Sequence, residues 1–182
     1  PWAVAGAEKF ALGGISLLNA LGCVDTLTFG SETGDTAPLM HCAEYLHSDV
    51  FNSDIRPEVA KGVSFAAART EAVKKALGAE TAELLTKPNC ILGIEYCKAI
   101  LSLNSNIVPQ TVQRIAIGHD SDQVHGAFAS ASLIRSRSIE GEEISSYVPE
   151  NTAVCIRALQ NKKQYPTSLS YLDRAVLAAV SA

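Results

Sequence analysis

Apolar residues recur every three or four positions along most of this chain, which is the spacing of amphipathic helices. Gly22 and Gly78 are stop signals at the ends of two such segments, and Asp35 can cap the start of another. Helices are therefore expected to form most of the chain. The predicted helices span residues 7–22, 38–47, 64–78, 89–103 and 130–139, and a shorter helix begins at Asp54 and is interrupted at Gly62.

Two segments instead have the β-branched composition of strands. VDTLTF at residues 24–29 ends before Gly30 and a polar loop, and TVQRIAI at residues 111–117 ends before Gly118 and another polar loop. Because helices separate the two segments, we expect a parallel pair joined by a crossover, which is an α/β arrangement. Parallel sheets normally contain several strands, so further strands are expected before Pro1.

Composition places the chain among folded, soluble proteins. Of its 182 residues, 47% are apolar and only 19% are charged, which disfavours both disorder and a polybasic nucleic-acid arm. No apolar run approaches the roughly 20 residues of a membrane span, so no membrane association is expected. The five cysteines lack paired spacing, which favours a reducing compartment and a cytoplasmic location.

Two residues near the predicted strand ends are candidates for ligand contact, because ligands of open α/β sheets bind outside the carboxyl ends of the strands. Gly30 is either a turn glycine or a place where a base or ribose lies against the backbone. Arg114, in the second predicted strand, either pairs with an acid or offers its guanidinium to an anion such as phosphate.

Residues 130–135 give the strongest local signal. The hydroxyls of Ser130 and Ser132, the free amides of a first helical turn and the guanidinium of Arg135 can converge on a phosphate or pyrophosphate. The alternative is a plain N-cap at Ser130 with a solvated arginine. Asn89 is open in the same way: it either caps its own helix or contacts a nucleotide through its amide.

Metal and nucleophile chemistry find no support in the sequence. His119, Asp120, Asp122 and His125 lack a recognised ligand spacing, so they are interpreted as a polar loop and no metal site is predicted. Ala116 occupies the position where an H-x-G-H phosphate motif ending at His119 needs its first histidine. No serine or cysteine has the surroundings of a nucleophile, so no catalytic residue is assigned.

Four blocks of sequence, in order, carry a family resemblance. They are FALGGISLLNALG (10–22), LTFGSETGD (27–35), NCILGIEYCKAI (89–100), and QRIAIGHD (113–120) with SASLIR (130–135); GVSFAAAR (62–69) fits between the second and third. Together they resemble the bacterial tRNA(Met) cytidine acetate ligases. FGSE-x-GD and N-x-ILGIEY are the most specific parts, and the resemblance is weak from Ser146 onward.

The resemblance implies a fold and a domain organisation. The expected fold class is α/β: part of a Rossmann-like nucleotidyltransferase (HUP-type) domain with parallel strands, followed by a helical C-terminal segment. Residues 1–145 would be the second half of the catalytic domain, and residues 146–182 the start of a helical region. The family's HNPFHNGH-type block, which lies on the triphosphate, is not in this sequence. We therefore expect this chain by itself to be inactive or nearly so. We expect the surface that the rest of the domain would cover to be exposed, repacked or shared with a second copy by self-association.

The resemblance also implies an activity. Such enzymes condense acetate with ATP to acetyl-adenylate and pyrophosphate, and then acetylate the wobble cytidine of elongator tRNA(Met) to N4-acetylcytidine. The implied partners are ATP with Mg²⁺, acetate and the tRNA. The implied ATP contacts are Gly30, Asn89 and Arg114, and the implied phosphate contacts are Ser130, Ser132 and Arg135.

Two other functions remain open at this point. The first is another adenylyltransferase of the same superfamily that transfers AMP to a small molecule. The second is a non-catalytic nucleotide- or RNA-binding module. For RNA, the basic side chains between Arg135 and Lys163 form either a phosphate-tracking surface or a solvated mixed surface, because several glutamates lie among them.

Overall fold

The computed structural model describes residues 5–114, 129–165 and 172–180. The chain divides into two units, Pro1–Ile115 and Ala116–Ala182. In the described part of the first unit, the helices are α1 Ala7–Leu21, α2 Thr36–His47, α3 Asp49–Val59, α4 Phe65–Leu77, α5 Ala79–Leu84 and α6 Pro88–Ser102, and the strands are β1 Thr26–Ser31 and β2 Val108–Gln113.

The two strands pair in parallel, with Thr26 opposite Val108 and Ser31 opposite Gln113. Five helices, α2 to α6, separate them in the chain, so the prediction of a parallel pair joined by a helical crossover is confirmed. The first strand lies two residues later than predicted, because Gly30 and Ser31 continue the pairing beyond the β-branched segment.

The second strand begins earlier than the sequence pattern predicts. It starts at Val108 and includes Pro109, which lies two residues before the predicted start at Thr111. The amides of Val108 and Arg114 both donate to carbonyls on the β1 side. Because successive amides of a strand point to opposite sides, the nitrogen of Pro109 faces away from β1. The hydrogen that proline lacks therefore costs no hydrogen bond between the strands. Residues 115–117 of the predicted strand lie outside the described residues.

Helix α6 is the centre of the first unit because apolar residues cover most of its circumference. One side contributes Cys90, Ile94 and Cys97 to a buried cluster with residues of α2 to α5. The other side contributes Ala99 and Ile100 to a second cluster with α1. The burial of Cys90 and Cys97 confirms the sequence interpretation of both as small apolar groups.

A glycine brings α6 close to the first strand. A Cβ atom added to Gly93 would lie 2.6 Å from Cε2 of Phe29 and 3.2 Å from Cδ1 of Leu39. Because any larger residue would force these packed side chains apart, Gly93 fixes the distance between α6 and β1. The carboxyl end of β1 is thereby held near the start of α6.

Most predicted helix ends are confirmed, and one start is wrong. Gly22 ends α1 in a left-handed conformation with φ 66°, and Asp35 and Ser64 cap α2 and α4. The helix predicted to start at Asp54 instead starts at Asp49, because the Ser48 hydroxyl accepts from the Phe51 amide at 3.3 Å. Helix α5 had no sequence signal distinct from its neighbours.

The described part of the second unit is helical. A short 3-10 helix is held to the first described helix of this unit, because Arg137 donates to the Tyr147 hydroxyl at 2.8 Å and lies over its ring at 5.2 Å. The predicted domain boundary at residues 145–146 stays a prediction. The elements are α7 Ala131–Ile139, the 3-10 helix Ser145–Tyr147, α8 Glu150–Asn161 and α9 Asp173–Val180.

Within the three described stretches of chain, every helix is too short or too polar to cross a membrane. The fold prediction is confirmed: helices pack against a parallel strand pair, and further helices follow it in the chain.

Candidate functional site

The loop after β1 is built by short polar contacts. Ser31 is fully buried, and its hydroxyl accepts from the Gly34 amide at 3.1 Å and from the Thr111 hydroxyl at 2.8 Å. Gly34 has φ +66°, and a Cβ there would lie 2.6 Å from Cβ of Gln113. Both facts require glycine at this position. The polar residues after β1 are therefore fixed against the end of β2.

Glu32 of this loop caps the start of α6. Its Oε1 accepts from the backbone amide of Asn89 at 3.1 Å and from the side-chain Nδ2 at 2.8 Å, and its Oε2 accepts from the Cys90 amide at 2.8 Å. Burial alone would raise the pKa of Glu32, but the hydrogen bonds from Asn89 and Cys90 outweigh it and hold the pKa at about 2. The carboxylate is therefore ionised at neutral pH.

The sequence left two roles open for Asn89, and the structure excludes one of them, the helix cap. It does not cap its own helix, because Lys87 is the N-cap residue and Asn89 lies inside the first turn. Its side chain instead donates to Glu32. Among the residues that the structure describes, none donates to its remaining oxygen, Oδ1.

Sequence reasoning did not single out Glu32, although a signal was present. Lys87 contributes no side-chain cap, and lysine is not among the residues that favour the N-cap position. A helix start without a cap of its own needs an acceptor from elsewhere. A carboxylate in a loop directly after a strand was a suitable source.

Gly30 and Arg114 meet at the carboxyl ends of the strands. A Cβ at Gly30 would lie 3.0 Å from Cγ of Arg114 and 3.6 Å from Cδ, so the absent side chain leaves room for the arginine stem to cross β1. The Arg114 amide donates to the Ser31 carbonyl at 2.9 Å. Its side chain is exposed, and its guanidinium has no hydrogen bond or ion pair with any described residue.

The first unit therefore brings three candidates to one neighbourhood. Gly30 and Arg114 are in contact, and Asn89 is held by Glu32, two residues after Gly30. Thr36 and Thr111 also shape this edge, because the Thr36 hydroxyl accepts from the Thr111 amide at 3.0 Å.

The remaining candidates lie in the second unit, at the start of α7. The Ser130 hydroxyl accepts from the Leu133 amide at 3.1 Å, which confirms the predicted helix start and uses one amide of the first turn. Arg135 donates to the Ser132 hydroxyl at 3.5 Å and is exposed. Ser132 and Arg135 are thus neighbours on one side of the first turns.

Other candidate chemistry is limited. His119, Asp120, Asp122 and His125 lie outside the described residues. Among residues 5–114, 129–165 and 172–180, no three His, Cys, Asp or Glu side chains cluster as metal ligands. Burial raises the pKa of the Cys42 and Cys97 thiols to about 12, so neither is a reactive thiolate.

A second carboxylate fixes the middle of α6. Glu95 is buried, and it accepts from Lys98 at 2.9 Å and lies 3.6 Å from Arg69 of α4. Lys98 also reaches Glu8 of α1 at 3.1 Å. These charges line a cavity of about 590 Å³ that Gly30, Asn89 and Arg114 do not line. The strand-end candidates therefore form an open edge that is separate from this cavity.

Comparison with proteins of known sequence agrees with the fold. A family model described as HIGH Nucleotidyl Transferase matches residues 1–181. The tRNA(Met) cytidine acetate ligase of Clostridium novyi (strain NT) is 39% identical over 139 residues, which cover 74% of this chain and 35% of that protein. The tRNA(Met) cytidine acetate ligase of Thermoanaerobacter sp. (strain X514) is 36% identical over 181 residues, or 97% of this chain and 45% of that protein. The resemblance seen in the sequence blocks is confirmed.

Solved structures agree as well. Apo Thermotoga maritima TmcAL (form I) matches with a TM-score of 0.81 and 30% identity over 91% of this chain and 41% of that one. The same protein bound with alpha-thio ATP (form II) matches with a TM-score of 0.80 and 29% identity over 93% of this chain and 41% of that one. The chain thus spans less than half the length of the relatives it matches. Since the family model covers residues 1–181 and the fold agrees with it, the chain belongs to the HIGH nucleotidyl transferase family.

Proposed function

We propose that the protein to which these residues belong uses ATP to activate acetate and then acetylates the wobble cytidine of elongator tRNA(Met), forming N4-acetylcytidine. The names of the relatives support tRNA(Met), cytidine and acetate as substrates. The structure of the Thermotoga maritima relative bound with alpha-thio ATP supports ATP. Because the chain covers less than half of these relatives, the whole reaction is proposed for the intact protein.

The exposed Arg114 beside Gly30 is the observation that carries this proposal. The sequence left two interpretations of Arg114, an ion pair or an anion contact, and no described acid pairs with it. A guanidinium that no described residue pairs with, at the carboxyl end of a parallel strand, suits a phosphate or another anionic group of a nucleotide. We assign Gly30, Asn89 and Arg114 to ATP.

The start of α7 is proposed as the phosphate contact. Ser132 and Arg135 offer a hydroxyl and a guanidinium one turn apart, and the first turn of a helix favours negative charge. Ser130 contributes the cap that shapes this turn. Mg²⁺ would enter with ATP, carried by the phosphates of the substrate.

The chemistry needs two steps. In the first, an acetate oxygen forms a bond to the α-phosphorus of ATP, the bond from that phosphorus to the bridging oxygen breaks, and pyrophosphate leaves. In the second, the exocyclic amine of cytidine bonds to the acetyl carbon, AMP leaves and the amine loses a proton. Arg114 and Arg135 would stabilise charge on the phosphates, since preorganised cations act on charge that develops in the transition state.

The tRNA partner implies a cytoplasmic location, which we propose on that ground. Exposed basic residues of the second unit, Arg157 and Lys163 among them, are the proposed RNA-facing groups. Arg137 is less available, because it is bound to Tyr147 and lies 3.6 Å from Glu142.

The test is a pair of assays on the intact protein. Exchange of pyrophosphate into ATP should depend on acetate, and incubation with tRNA(Met) should yield acetylated cytidine by mass spectrometry. An adenylylated small molecule in place of the acetylated base would show the other adenylyltransferase activity. Binding without either product would show a non-catalytic nucleotide- or RNA-binding module.

Arg114→Ala tests the residue that carries the proposal. Hydrogen bonds to charged groups contribute about 1.5–3 kcal/mol, so ATP affinity should fall roughly 10- to 150-fold with no change in melting temperature. Arg56→Ala, at another exposed arginine, is the matched control and should leave ATP affinity unchanged. Unchanged affinity together with a lower melting temperature would mark Arg114 as a structural residue instead.

A further inference from the structure

Glu32 does more than cap a helix, because it also holds a side chain. One oxygen, Oε1, accepts from both the backbone amide and the Nδ2 group of Asn89. The other, Oε2, accepts from the Cys90 amide. Capping requires only the two backbone contacts, so the bond to Nδ2 is additional and fixes the side chain of Asn89.

This bond determines which way the Asn89 amide faces. An ionised carboxylate can only accept hydrogen bonds, and the low pKa of Glu32, about 2, keeps it ionised. Rotating the amide by half a turn would place Oδ1 against Oε1, two acceptors with no hydrogen between them. The Nδ2 group must therefore face Glu32, and Oδ1 must face away from it.

The exposed side of the amide is consequently an acceptor. No described residue donates to Oδ1, and Asn89 is only half-buried, so the oxygen is available to a ligand. A ligand atom that meets it must carry a hydrogen. On a purine nucleotide such donors are the ribose hydroxyls and an exocyclic amine, whereas the carbonyl of a guanine would be repelled.

We propose that Glu32 is a positioning residue that fixes the Asn89 amide with Oδ1 toward the nucleotide, so that the site selects a ligand with a hydrogen-bond donor at that point. The inference rests on the proposed ATP site. It adds a direction to that contact: Asn89 accepts and the nucleotide donates. It also assigns the selectivity to a residue that need not touch the nucleotide.

The experiment measures dissociation constants of the intact protein by calorimetry with four probes. These are ATP, 2′-deoxy-ATP, 3′-deoxy-ATP and purine riboside triphosphate, which lacks the 6-amino group. One analogue should bind roughly 5- to 10-fold more weakly than ATP, since it leaves Oδ1 without a donor. The identity of that analogue distinguishes a ribose hydroxyl from the exocyclic amine.

Two variants test whether Glu32 sets this preference. In Glu32→Gln, one face of the new amide carries hydrogens, so Asn89 loses its single favoured orientation. The dissociation constant of the weaker-binding analogue divided by that of ATP should then fall toward one. Asn89→Ala should give the same ratio. Asp35→Asn is the matched control: it neutralises a carboxylate of the same loop, keeps a good cap for α2 and leaves Asn89 untouched.

The ratio of dissociation constants can be interpreted even for a destabilised variant. An unfolded fraction lowers the amount of binding-competent protein, but it does not change the preference of the folded protein for ATP over the analogue. Full discrimination retained in Glu32→Gln would overturn the inference and leave the ATP site intact. Equal binding of all four probes to the unmodified protein would also overturn the inference and leave the ATP site intact. Failure of the unmodified protein to bind ATP would overturn the proposed function, and this inference with it.

Discussion

The two helix starts assigned to the nucleotide are built in different ways. Helix α7 is capped by its own Ser130, whose hydroxyl accepts from the Leu133 amide three residues later at 3.1 Å. Helix α6 has no side-chain cap of its own, and its first amides reach Glu32, which lies 57 residues before Asn89 in the chain. One start is local, and the other depends on a second element.

The difference determines what each start can position. A local cap stabilises its own helix without joining it to another element of the structure. A cap from another element joins the helix to that element, so the end of β1 and the start of α6 hold each other in place. We infer that the start of α6, which is joined to the end of β1, sets the geometry of the proposed site at the strand ends.

The largest effect should come from the carboxylate in the middle of α6. Glu95→Ala would leave Lys98 and Arg69 partly buried without their common partner, and breaking a buried pair costs about 3–5 kcal/mol. Urea denaturation of the intact protein measures it. The exposed pair of Glu83 with Lys87 is the control, and Glu83→Ala should cost no more than about 0.5 kcal/mol. Equal losses of unfolding free energy in the two variants would show that buried ion pairs with distant residues do not stabilise α6.

Removal of the remote cap should have the next largest effect. Glu32→Ala deletes the acceptor of three hydrogen bonds, and we expect a loss of about 2–3 kcal/mol in the free energy of unfolding. Amide exchange should accelerate in the first turn of α6. If exchange there were unchanged, another group would be capping this helix and the comparison would be wrong.

Removal of the local cap should matter less. Ser130→Ala deletes one hydroxyl acceptor, and losses of this kind are typically about 1 kcal/mol. The Leu133 amide should then exchange roughly fivefold faster, with little change in α8. A loss as large as that of Glu32→Ala would mean that α7 is anchored from elsewhere as strongly as α6.

The last prediction is a dependence on pH through the same carboxylate of Glu32. The folded protein lowers the pKa of Glu32 from 4.5 to about 2, so this group stabilises the folded state above pH 4.5 and loses that contribution as pH falls from about 4.5 to about 2. Stability in that interval should therefore decline less steeply in Glu32→Gln than in the unmodified protein. Parallel curves would show that Glu32 has an ordinary pKa.

The same contrast explains how much could be predicted. Caps and stops that act within a few residues, such as Ser130, Asp35 and Gly22, are visible in the sequence and were predicted correctly. The start of β2 was missed because Pro109 is tolerated only where its nitrogen faces away from β1, and the pairing direction is not visible in a single segment.

The site itself could be predicted only in part. Residue types and the carboxyl ends of strands indicated Gly30 and Arg114, and their contact is a consequence of parallel register. The partner of Asn89 could not be predicted, because Glu32 lies 57 residues earlier in the chain and four helices, α2 to α5, separate it from α6. Long-range hydrogen bonds depend on tertiary structure in a way that local caps do not.

We propose that the carboxyl ends of β1 and β2, together with the start of α6, form the ATP site. Hydrogen exchange of the intact protein with and without saturating ATP tests it most directly. We expect slower exchange at residues 30–35 and 89–92 with ATP, and no change along α4. Protection elsewhere, with unchanged exchange at both of those segments, would contradict it.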